Sequence, residues 1–168
     1  MTEKPALLNN QAYTQARLAN ASLQHFRVIF SSVKKHLSDT ESACGISSSQ
    51  LWVLYELYKE PDLKVSELAN NLAIHQSTAS NLVEKLVKKL LIAKKRETSD
   101  QRVVRLSLTE QGLAIIKNAP PSPRGVLREA LDRLDVDTLI GLTQSLEQLT
   151  LQINSKDLGA GLIPLGDL

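Results

Sequence analysis

The sequence predicts a mainly α-helical protein with one small β-hairpin, and the stretch from residue 65 to residue 108 carries that prediction. Apolar residues recur at helical spacing in two short segments, 65–72 and 79–90. Residues 92–97 and 102–108 then have the composition of strands, and the short polar side chains between them favour a turn. Two helices joined by a turn and followed by a hairpin form a winged helix-turn-helix, in which the hairpin is the wing.

The length and composition of the chain set the class of protein. A chain of 168 residues, 42% of them hydrophobic and 23% charged, has the make-up of a soluble globular protein with one sizeable core. The single cysteine, Cys44, excludes an internal disulfide and indicates a reducing compartment. Because no apolar segment approaches the roughly 18 to 20 residues of a membrane span and the first residues lack the apolar run of a signal peptide, we expect a cytoplasmic protein.

Basic residues are concentrated around the predicted wing. Between residues 84 and 105 the chain has eight lysines and arginines against three acidic residues, a net +5, although the whole chain carries only +2. Such a concentration is expected of a surface that binds phosphates, while a charge run is often only a solvated face. The run alone leaves both interpretations open.

Helical patterns also lie on the N-terminal side of this stretch. Residues 11–37 have an apolar stripe that predicts a helix of roughly 25 residues, about 37 Å long. A helix of this length overhangs a small domain, and a second copy of the protein is the simplest way to cover the overhang. A polar loop is expected at residues 38–45, after which Ser47 and Gln50 have the spacing of a capping box that begins a helix at residues 48–59.

Further helices are predicted after the hairpin. Thr109 is a suitable N-cap for the first of them, and three prolines within residues 120–123 must interrupt the helical pattern that follows. Apolar residues resume helical spacing from residue 127 to residue 153, with Asp135 or Asp137 available as a cap between two segments. The last apolar stripe is suited to pairing with the N-terminal helix or with a partner chain.

The second helix of the helix-turn-helix has side chains suited to reading DNA. A helix that enters the major groove needs small polar side chains near its start and longer basic ones further along. Six residues meet that description: Gln76, Ser77, Thr78, Ser80, Asn81 and Lys85. Positions 77, 81, 84, 85 and 88 fall on the face opposite the apolar positions, which include Leu90, so one side can pack while the other contacts DNA. The alternative is an ordinary amphipathic surface helix.

The hairpin supplies a second group of candidate DNA-binding residues. Asp100 and Arg102 lie two apart at its tip, where the arginine could enter the minor groove while the aspartate fixes the direction of its guanidinium group. Lys94 and Arg96 alternate on one strand and Arg105 lies on the other, which suits phosphate contacts on either side of the tip. The alternative for the tip pair is a surface salt bridge that contributes about 0 to 1 kcal/mol.

These residues resemble those of the multiple-antibiotic-resistance regulator (MarR) family of bacterial winged-helix transcription factors. The resemblance rests on Val65-Ser66-Glu67-Leu68-Ala69, on residues 76–86, and above all on residues 99–112, where an Asp-x-Arg wing is followed by Leu-Thr-x-x-Gly. With the flanking helices in the expected order, it extends from about residue 12 to residue 153. It implies a dimer held by the N- and C-terminal helices, a recognition helix at residues 76–90, and Arg102 in the minor groove.

The residue patterns and the resemblance together predict a division of the chain. We expect a flexible leader at residues 1–10, a helical dimerisation region at residues 11–46 and 110–156, a winged helix-turn-helix DNA-binding lobe at residues 47–109, and a tail at residues 157–168.

One residue departs from the pattern of the family. The family usually has glycine where this chain has Leu90, at the exit of the recognition helix. Because a left-handed helix terminus would cost leucine roughly 1 kcal/mol or more, we predict a right-handed or displaced helix end. Such an end would change the angle of the wing.

Control by a small molecule is a further implication, because many members of the family respond to small aromatic or lipophilic molecules bound between the dimer helices and the DNA-binding lobe. His25, Trp52 and Tyr55 could line such a cleft, although buried aromatic residues more often belong to a core. Some relatives instead sense oxidants through a cysteine. Cys44 lacks a second thiol, and a sensor would need a lowered pKa and exposure.

The sequence does not indicate an enzyme or a metalloprotein. His25, His36 and His75 are too scattered to predict a zinc site, no catalytic motif or glycine-rich phosphate loop occurs, and no cofactor is expected. We therefore predict a homodimeric repressor that binds a pseudo-palindromic operator in double-stranded DNA and is released by a small-molecule effector. The alternatives are a winged-helix module that docks an acidic protein partner and a redox-sensing regulator acting through Cys44.

Overall fold

The computed structural model describes residues 4–97, 103–153 and 158–165. Its helices are α1 (Lys4–Cys44), α2 (Ser48–Lys59), α3 (Val65–Leu72), α4 (Gln76–Lys88), α5 (Glu110–Asn118), α6 (Val126–Asp132) and α7 (Val136–Gln152), followed by a short 3-10 helix (Leu158–Leu162). Strands β1 (Ile92–Arg96) and β2 (Val104–Leu108) lie between α4 and α5. This is the predicted winged helix-turn-helix, with α3 and α4 as the helix pair and β1 and β2 as the wing. Two compact units divide within α1, between Lys35 and His36.

Helix α1 is longer than predicted at both ends. It begins at Lys4, so residues 4–10, which we expected in a leader without periodic structure, are helical. It ends at Cys44, so the predicted polar loop at residues 38–45 is wrong. The physical reason is that no proline or glycine occurs from residue 6 to residue 44, and polar residues alone do not stop a helix. The chain leaves the helix only at Gly45, whose φ of 66° is left-handed.

The first unit consists of α1 as far as Lys35. Among residues 14–35, whose side chains the structure describes, none is buried. Leu18, Val28 and Phe30 are 64%, 65% and 67% exposed, and the ring of Phe30 lies 6.4 Å from that of Phe26. This part of α1 therefore presents apolar surface on several sides.

The core of the second unit is built around α2. Leu51 and Leu54 of this helix are fully buried, and so are Leu68 of α3, Leu86 of α4 and Leu106 of β2 in the same cluster. Fully burying a leucine side chain stabilises a fold by about 1.5 to 3 kcal/mol. These leucines therefore fix α3, α4 and the wing to one central helix.

The predicted capping box at the start of α2 is confirmed. The hydroxyl oxygen of Ser47 accepts a hydrogen bond from the backbone N–H of Gln50 at 3.3 Å, and the side-chain oxygen of Gln50 accepts one from the N–H of Ser47 at 3.2 Å. Two backbone donors that the first turn of a helix leaves unpaired are thereby satisfied. The helix that carries the core begins where the sequence predicts.

Strands β1 and β2 pair antiparallel, and their base is held by a contact that the sequence did not predict. The N–H of Asp62 donates to the carbonyl oxygen of Leu106 at 3.0 Å, and the N–H of Leu106 donates to that of Leu63 at 3.0 Å. The connection between α2 and α3 thus runs beside β2 like a very short third strand. It attaches the wing to the helix-turn-helix.

The prediction of a right-handed or displaced end to α4 is wrong. Leu90 has a φ of 60°, in the left-handed region. Its N–H donates to the carbonyl oxygen of Val87 at 2.9 Å, and the N–H of Leu91 donates to that of Leu86 at 2.9 Å, which is the pattern of a Schellman motif. Leu86 and Leu91 are both buried in the core cluster, where the motif usually has an apolar contact. These bonds and this burial offset the steric cost of a left-handed leucine.

Capping residues also begin the helices after the wing. The hydroxyl oxygen of Thr109 accepts a hydrogen bond from the N–H of Gly112 at 3.1 Å, which confirms the predicted start of α5. Of the two candidate caps before α7, the one in use is Asp135, whose carboxylate accepts from the N–H of Thr138 at 2.9 Å. None of the helices in the described ranges is both long and apolar enough to cross a membrane.

Candidate nucleic-acid interface

Helix α4 has one buried side and one exposed side. Ala79, Leu82, Val83 and Leu86 are at most 3% exposed, because they pack into the core of the second unit. The sequence had also placed Leu90 on this packed side, which is wrong, since Leu90 is 66% exposed. The side open to solvent includes positions 77, 81, 84, 85 and 88. The helix can therefore rest on the core while its other side meets a second molecule.

The six candidate residues of α4 all lie at least partly in solvent. Four are exposed and two are half-buried, the first group being Gln76, Ser77, Asn81 and Lys85 and the second Thr78 and Ser80. The N-cap residue, His75, makes no side-chain hydrogen bond to the first turn of the helix. Because uncapped N–H groups at a helix start attract anions, this end of α4 suits a phosphate.

Strand pairing divides the basic residues of the wing between two faces. Lys95 lies opposite Arg105, so these two side chains share one face. Lys94 lies opposite Leu106, which is fully buried, and Arg96 shares this core-facing side because side chains alternate along a strand. The predicted trio of Lys94, Arg96 and Arg105 is therefore not one contiguous group.

Two of these cations are held by other groups of the protein. The ammonium group of Lys94 forms a hydrogen-bonded ion pair with the carboxylate of Glu84 on α4. The guanidinium group of Arg105 donates to the carboxylate of Glu97 at 3.4 Å and to the carbonyl oxygen of Asp62 at 3.1 Å. Both side chains thus tie the wing to its surroundings instead of pointing freely into solvent.

The remaining electrostatics favour an anionic partner near α4 and β1. The hydrogen bond from Lys94 and the charge of its ammonium group lower the pKa of Glu84, so this carboxyl is ionised at neutral pH. Lys85 and Arg96 are exposed and pair with no acidic residue in the part of the chain that the structure describes. Their charges are available to phosphates.

The predicted tip of the wing, Asp100 and Arg102, lies outside the described residues. Its contact with the minor groove stays a prediction. The described residues reach Glu97 after β1 and resume at Val103 before β2, and the N–H of Glu97 donates to the carbonyl oxygen of Val103 at 2.9 Å. The two ends that lead to the tip are therefore paired.

Sequence reasoning overlooked three residues that shape this surface, namely Asp62, Glu84 and Glu97. The sequence places position 84 on the exposed side of α4, but it assigns Glu84 no role beyond one negative charge in a basic run. The signal that could have identified its role is that it is an acidic residue on a side that is otherwise polar or basic. The contacts of Asp62 and Glu97 depend on strand register and on a backbone carbonyl group, which no residue pattern encodes.

The three candidates for an effector cleft are divided between the two units. His25 is exposed in the first, whereas Trp52 and Tyr55 are half-buried on α2 in the second. The indole N–H of Trp52 donates to the carboxylate of Glu56 at 2.9 Å. A cavity of about 450 Å³ in the second unit is lined by Glu56, Lys59, Glu60, Asn71, Arg124 and Arg128. None of the three candidates lines this cavity, and their role stays a prediction.

Cys44 lacks the features of a redox sensor. It is half-buried at the end of α1, and burial raises the pKa of its thiol. Because the thiolate is the form that oxidants attack, a raised pKa disfavours reaction at neutral pH. In the described ranges, no three His, Cys, Asp or Glu side chains are grouped so that they could hold a metal ion.

Comparison with known families and proteins identifies relatives of this chain. The model of the MarR family matches residues 46–104. The HTH-type transcriptional repressor MdtR of Bacillus subtilis is 34% identical over 86 residues, which are 51% of this chain and 56% of MdtR. The match therefore spans little more than half the length of that relative.

Comparison with solved structures gives a likeness over most of the chain. A MarR family protein from Bacillus stearothermophilus has a TM-score of 0.51 and 25% identity, covering 83% of this chain and 98% of that one. A MarR family transcriptional regulator from Streptomyces coelicolor, solved in complex with DNA, has a TM-score of 0.59 and 19% identity, covering 84% of this chain and 91% of that one. At that level of identity, the second likeness establishes a shared fold.

Proposed function

We propose that this chain, which belongs to the MarR family of transcriptional regulators, binds a pseudo-palindromic operator as a homodimer and represses transcription until a small-molecule effector releases it. Membership of the family makes it a DNA-binding regulator and not an enzyme. Within that class, α4 acts as the recognition helix and the wing is the second element that contacts DNA.

The two-sided character of α4 carries the proposal. One side is sealed in the core, while the other presents short polar side chains at its start and a lysine further along. Asn81 is suited to specify a base, because its exposed amide can make two hydrogen bonds to the edge of adenine. Lys85 and Arg96 suit phosphate contacts, which supply affinity without sequence preference.

The remaining candidates divide between the two grooves. The other four candidates of α4 precede Asn81 in its first turns and contact base edges or nearby phosphates in the major groove; they are Gln76, Ser77, Thr78 and Ser80. Arg102, oriented by Asp100, enters the minor groove, where a narrow A·T-rich segment attracts an arginine. Accordingly, Arg102→Ala is expected to weaken operator binding strongly.

Exposed apolar surface supports the homodimer. On α1, Phe30 is 67% exposed, and on α7, Ile140 and Leu149 are 51% and 40% exposed. Large exposed apolar patches mark interaction surfaces, and a twofold dimer is the commonest way to cover them. We assign dimerisation to residues 11–46 and 110–156 and DNA binding to residues 47–109. Such a dimer presents two copies of α4 to half-sites one helical turn apart.

Selection of duplexes from a random pool by the full-length protein tests this function. We expect the retained sequences to contain two inverted half-sites whose centres are about 10 base pairs apart. Retention of no common sequence would contradict operator recognition and would favour the module that docks an acidic protein. A single half-site without its inverted copy would contradict the dimer arrangement.

Release by an effector is supported by likeness to one solved structure of a regulated protein. BpsR of Bordetella bronchiseptica, whose DNA binding is regulated by 6-hydroxynicotinic acid, has a TM-score of 0.50 and 18% identity to this chain. We expect a small aromatic acid to dissociate this protein from its selected duplex and to change the emission of Trp52, the single tryptophan of the chain. If a panel of aromatic acids alters neither, the effector part is wrong while DNA binding stands.

A further inference from the structure

An acidic residue lies on the side of α4 that meets DNA in the proposed function. Glu84 is exposed, and it shares that side with Asn81 and Lys85. A carboxylate in this place repels the phosphates that neighbouring cations attract. On charge alone, Glu84 weakens binding to every duplex.

Glu84 is joined to the wing. Its carboxylate pairs with the ammonium group of Lys94 on β1. Lys94 lies opposite the fully buried Leu106, so its side chain leaves the hairpin on the core-facing side, from which it reaches α4. The ion pair therefore connects the helix and the wing directly, beyond the apolar contacts at the base of the hairpin.

A second connection holds the opposite face of the hairpin. Arg105 of β2 donates to the carbonyl oxygen of Asp62, in the connection between α2 and α3, at 3.1 Å. The N–H of Asp62 donates to the carbonyl oxygen of Leu106 at 3.0 Å. The side chain of Arg105 and the backbone of Leu106 therefore both bind Asp62. The base of the wing is thus fixed by Arg105 on one face, and Lys94 links the other face to α4.

We propose that Glu84 and Lys94 are positioning residues whose ion pair holds the wing at a fixed angle to α4, so that helix and wing reach adjacent grooves of one half-site together. The inference rests on the proposed function, because it takes α4 and the wing as the two elements that contact DNA. Lys94 then acts on specificity through Glu84 and is not a phosphate contact.

Neutralising Glu84 separates this role from a simple charge effect. If Glu84 were only a negative charge, Glu84→Gln would strengthen binding to all duplexes alike. If Glu84 positions the wing, Glu84→Gln lowers the ratio of operator affinity to nonspecific affinity, because only the specific complex needs the wing at one angle. Because an exposed ion pair contributes little free energy, we expect this affinity ratio to fall about threefold per protomer.

The experiment uses the full-length chain and two labelled duplexes in fluorescence anisotropy. One duplex is the sequence that the wild-type protein selects from a random pool, and the other is the same duplex with its sequence shuffled. Glu84→Gln, Lys94→Gln and the double variant form a double-mutant cycle. We expect each single variant to lower the affinity ratio of the dimer about ninefold, which is about threefold for each protomer, and the double variant to lower it no further. Lys94→Arg, which keeps the ion pair, should retain the wild-type ratio.

Lys95 supplies the matched control. It is exposed on the same strand, but its side chain is on the opposite face of the hairpin, away from Glu84. Lys95→Gln should leave the affinity ratio unchanged, and its effects should add to those of Glu84→Gln. Unchanged ratios in Glu84→Gln and Lys94→Gln, or additive effects of those two, would overturn the positioning role. Failure of the wild type to distinguish the two duplexes would instead overturn the proposed function.

Discussion

Leu90 is the residue at which local preference and the surrounding structure disagree most. A leucine in the left-handed region is unfavourable by roughly 1 to 2 kcal/mol, because its Cβ approaches the following carbonyl oxygen. The side chain recovers little of this by packing, since it is 66% exposed. The conformation is imposed by the hydrogen bonds of Leu90 to Val87 and of Leu91 to Leu86.

Replacing Leu90 by glycine should therefore stabilise the protein. We expect Leu90→Gly to raise the free energy of unfolding by about 1 kcal/mol, as measured by urea denaturation. Leu90→Ala is the control, because it removes the same exposed side chain and keeps a Cβ. If the glycine variant is no more stable than the alanine variant, the left-handed geometry assigned to Leu90 is wrong.

This residue also shows why its geometry was not predictable from the sequence. The steric cost of a left-handed leucine is real, but the prediction weighed only that residue. The decisive bonds are made by its neighbours, whose alignment depends on Leu86 and Leu91 being anchored in the core. Residue preference alone therefore pointed to the wrong helix end.

His36 is a single residue that makes the free energy of unfolding depend on pH. It is only 8% exposed, and burial lowers the pKa of its imidazole, while Glu129 and Asp39 act in the opposite direction. The unfolded state then binds a proton more readily than the folded state, so stability falls as pH drops below the unfolded value of about 6.5. We expect the free energy of unfolding to fall from pH 7.5 to pH 5.5 by less in His36→Gln than in the wild type. Equal falls would show that His36 does not contribute.

At the scale of elements, the start of α5 is locked against the connection between α4 and β1. The hydroxyl of Thr109 donates to the carbonyl oxygen of Leu90 at 2.7 Å, and the N–H of Thr109 donates to that of Leu91 at 3.1 Å. A Cβ added to Gly112 would overlap the carbonyl oxygen of Leu91. The Leu-Thr-x-x-Gly segment thus brings the backbone of α5 close to the base of the wing.

Gly112→Ala should push the backbone of α5 away from the carbonyl oxygen of Leu91. Because the obstacle is a backbone oxygen that already accepts a hydrogen bond, α5 or the wing has to shift, and we expect a loss of about 1 to 3 kcal/mol in the free energy of unfolding. Gln111→Ala, exposed in the same helical turn, should change it by less than about 0.5 kcal/mol. Equal stability of the two variants in urea denaturation would mean that the close approach is absent.

Helix starts were predictable because their signals are local. Ser47, Thr109 and Asp135 each accept a hydrogen bond from an N–H three residues later, and such spacing can be read directly. The end of α1 is not predictable from polarity, because the polar residues before Gly45 include no helix breaker. The ion pair of Glu84 with Lys94 was not predicted because it joins a helix to a strand through tertiary geometry.

At the scale of the whole molecule, the exposed apolar side chains of α7 indicate that this helix packs against a second copy of the chain. Leu146 and Leu149 are 38% and 40% exposed, and no side chain of α7 is buried within the chain. We expect the protein in sedimentation equilibrium to have twice the 18.5 kDa mass of one chain. Leu146→Glu should weaken this dimer, because it buries a charge in the proposed interface.

Gln148 is the matched position for that experiment. It is two residues further along α7 and therefore nearly opposite Leu146 around the helix. Gln148→Glu adds the same charge and should leave the mass unchanged. A monomeric wild type, or equal loss of dimer in both variants, would contradict the assignment of α7 to the dimer interface.

The central claim is that the exposed side of α4 specifies bases while cations near it supply affinity without sequence preference. The most direct measurement compares Asn81→Ala and Arg96→Gln on the selected and the shuffled duplex over a range of salt concentrations. We expect Asn81→Ala to weaken binding to the selected duplex about tenfold or more and to leave the shuffled duplex unaffected. Arg96→Gln should weaken both and lower the salt slope by about 0.9 for each phosphate that the variant no longer neutralises. If Asn81→Ala weakens both duplexes equally, or neither, α4 does not read the operator.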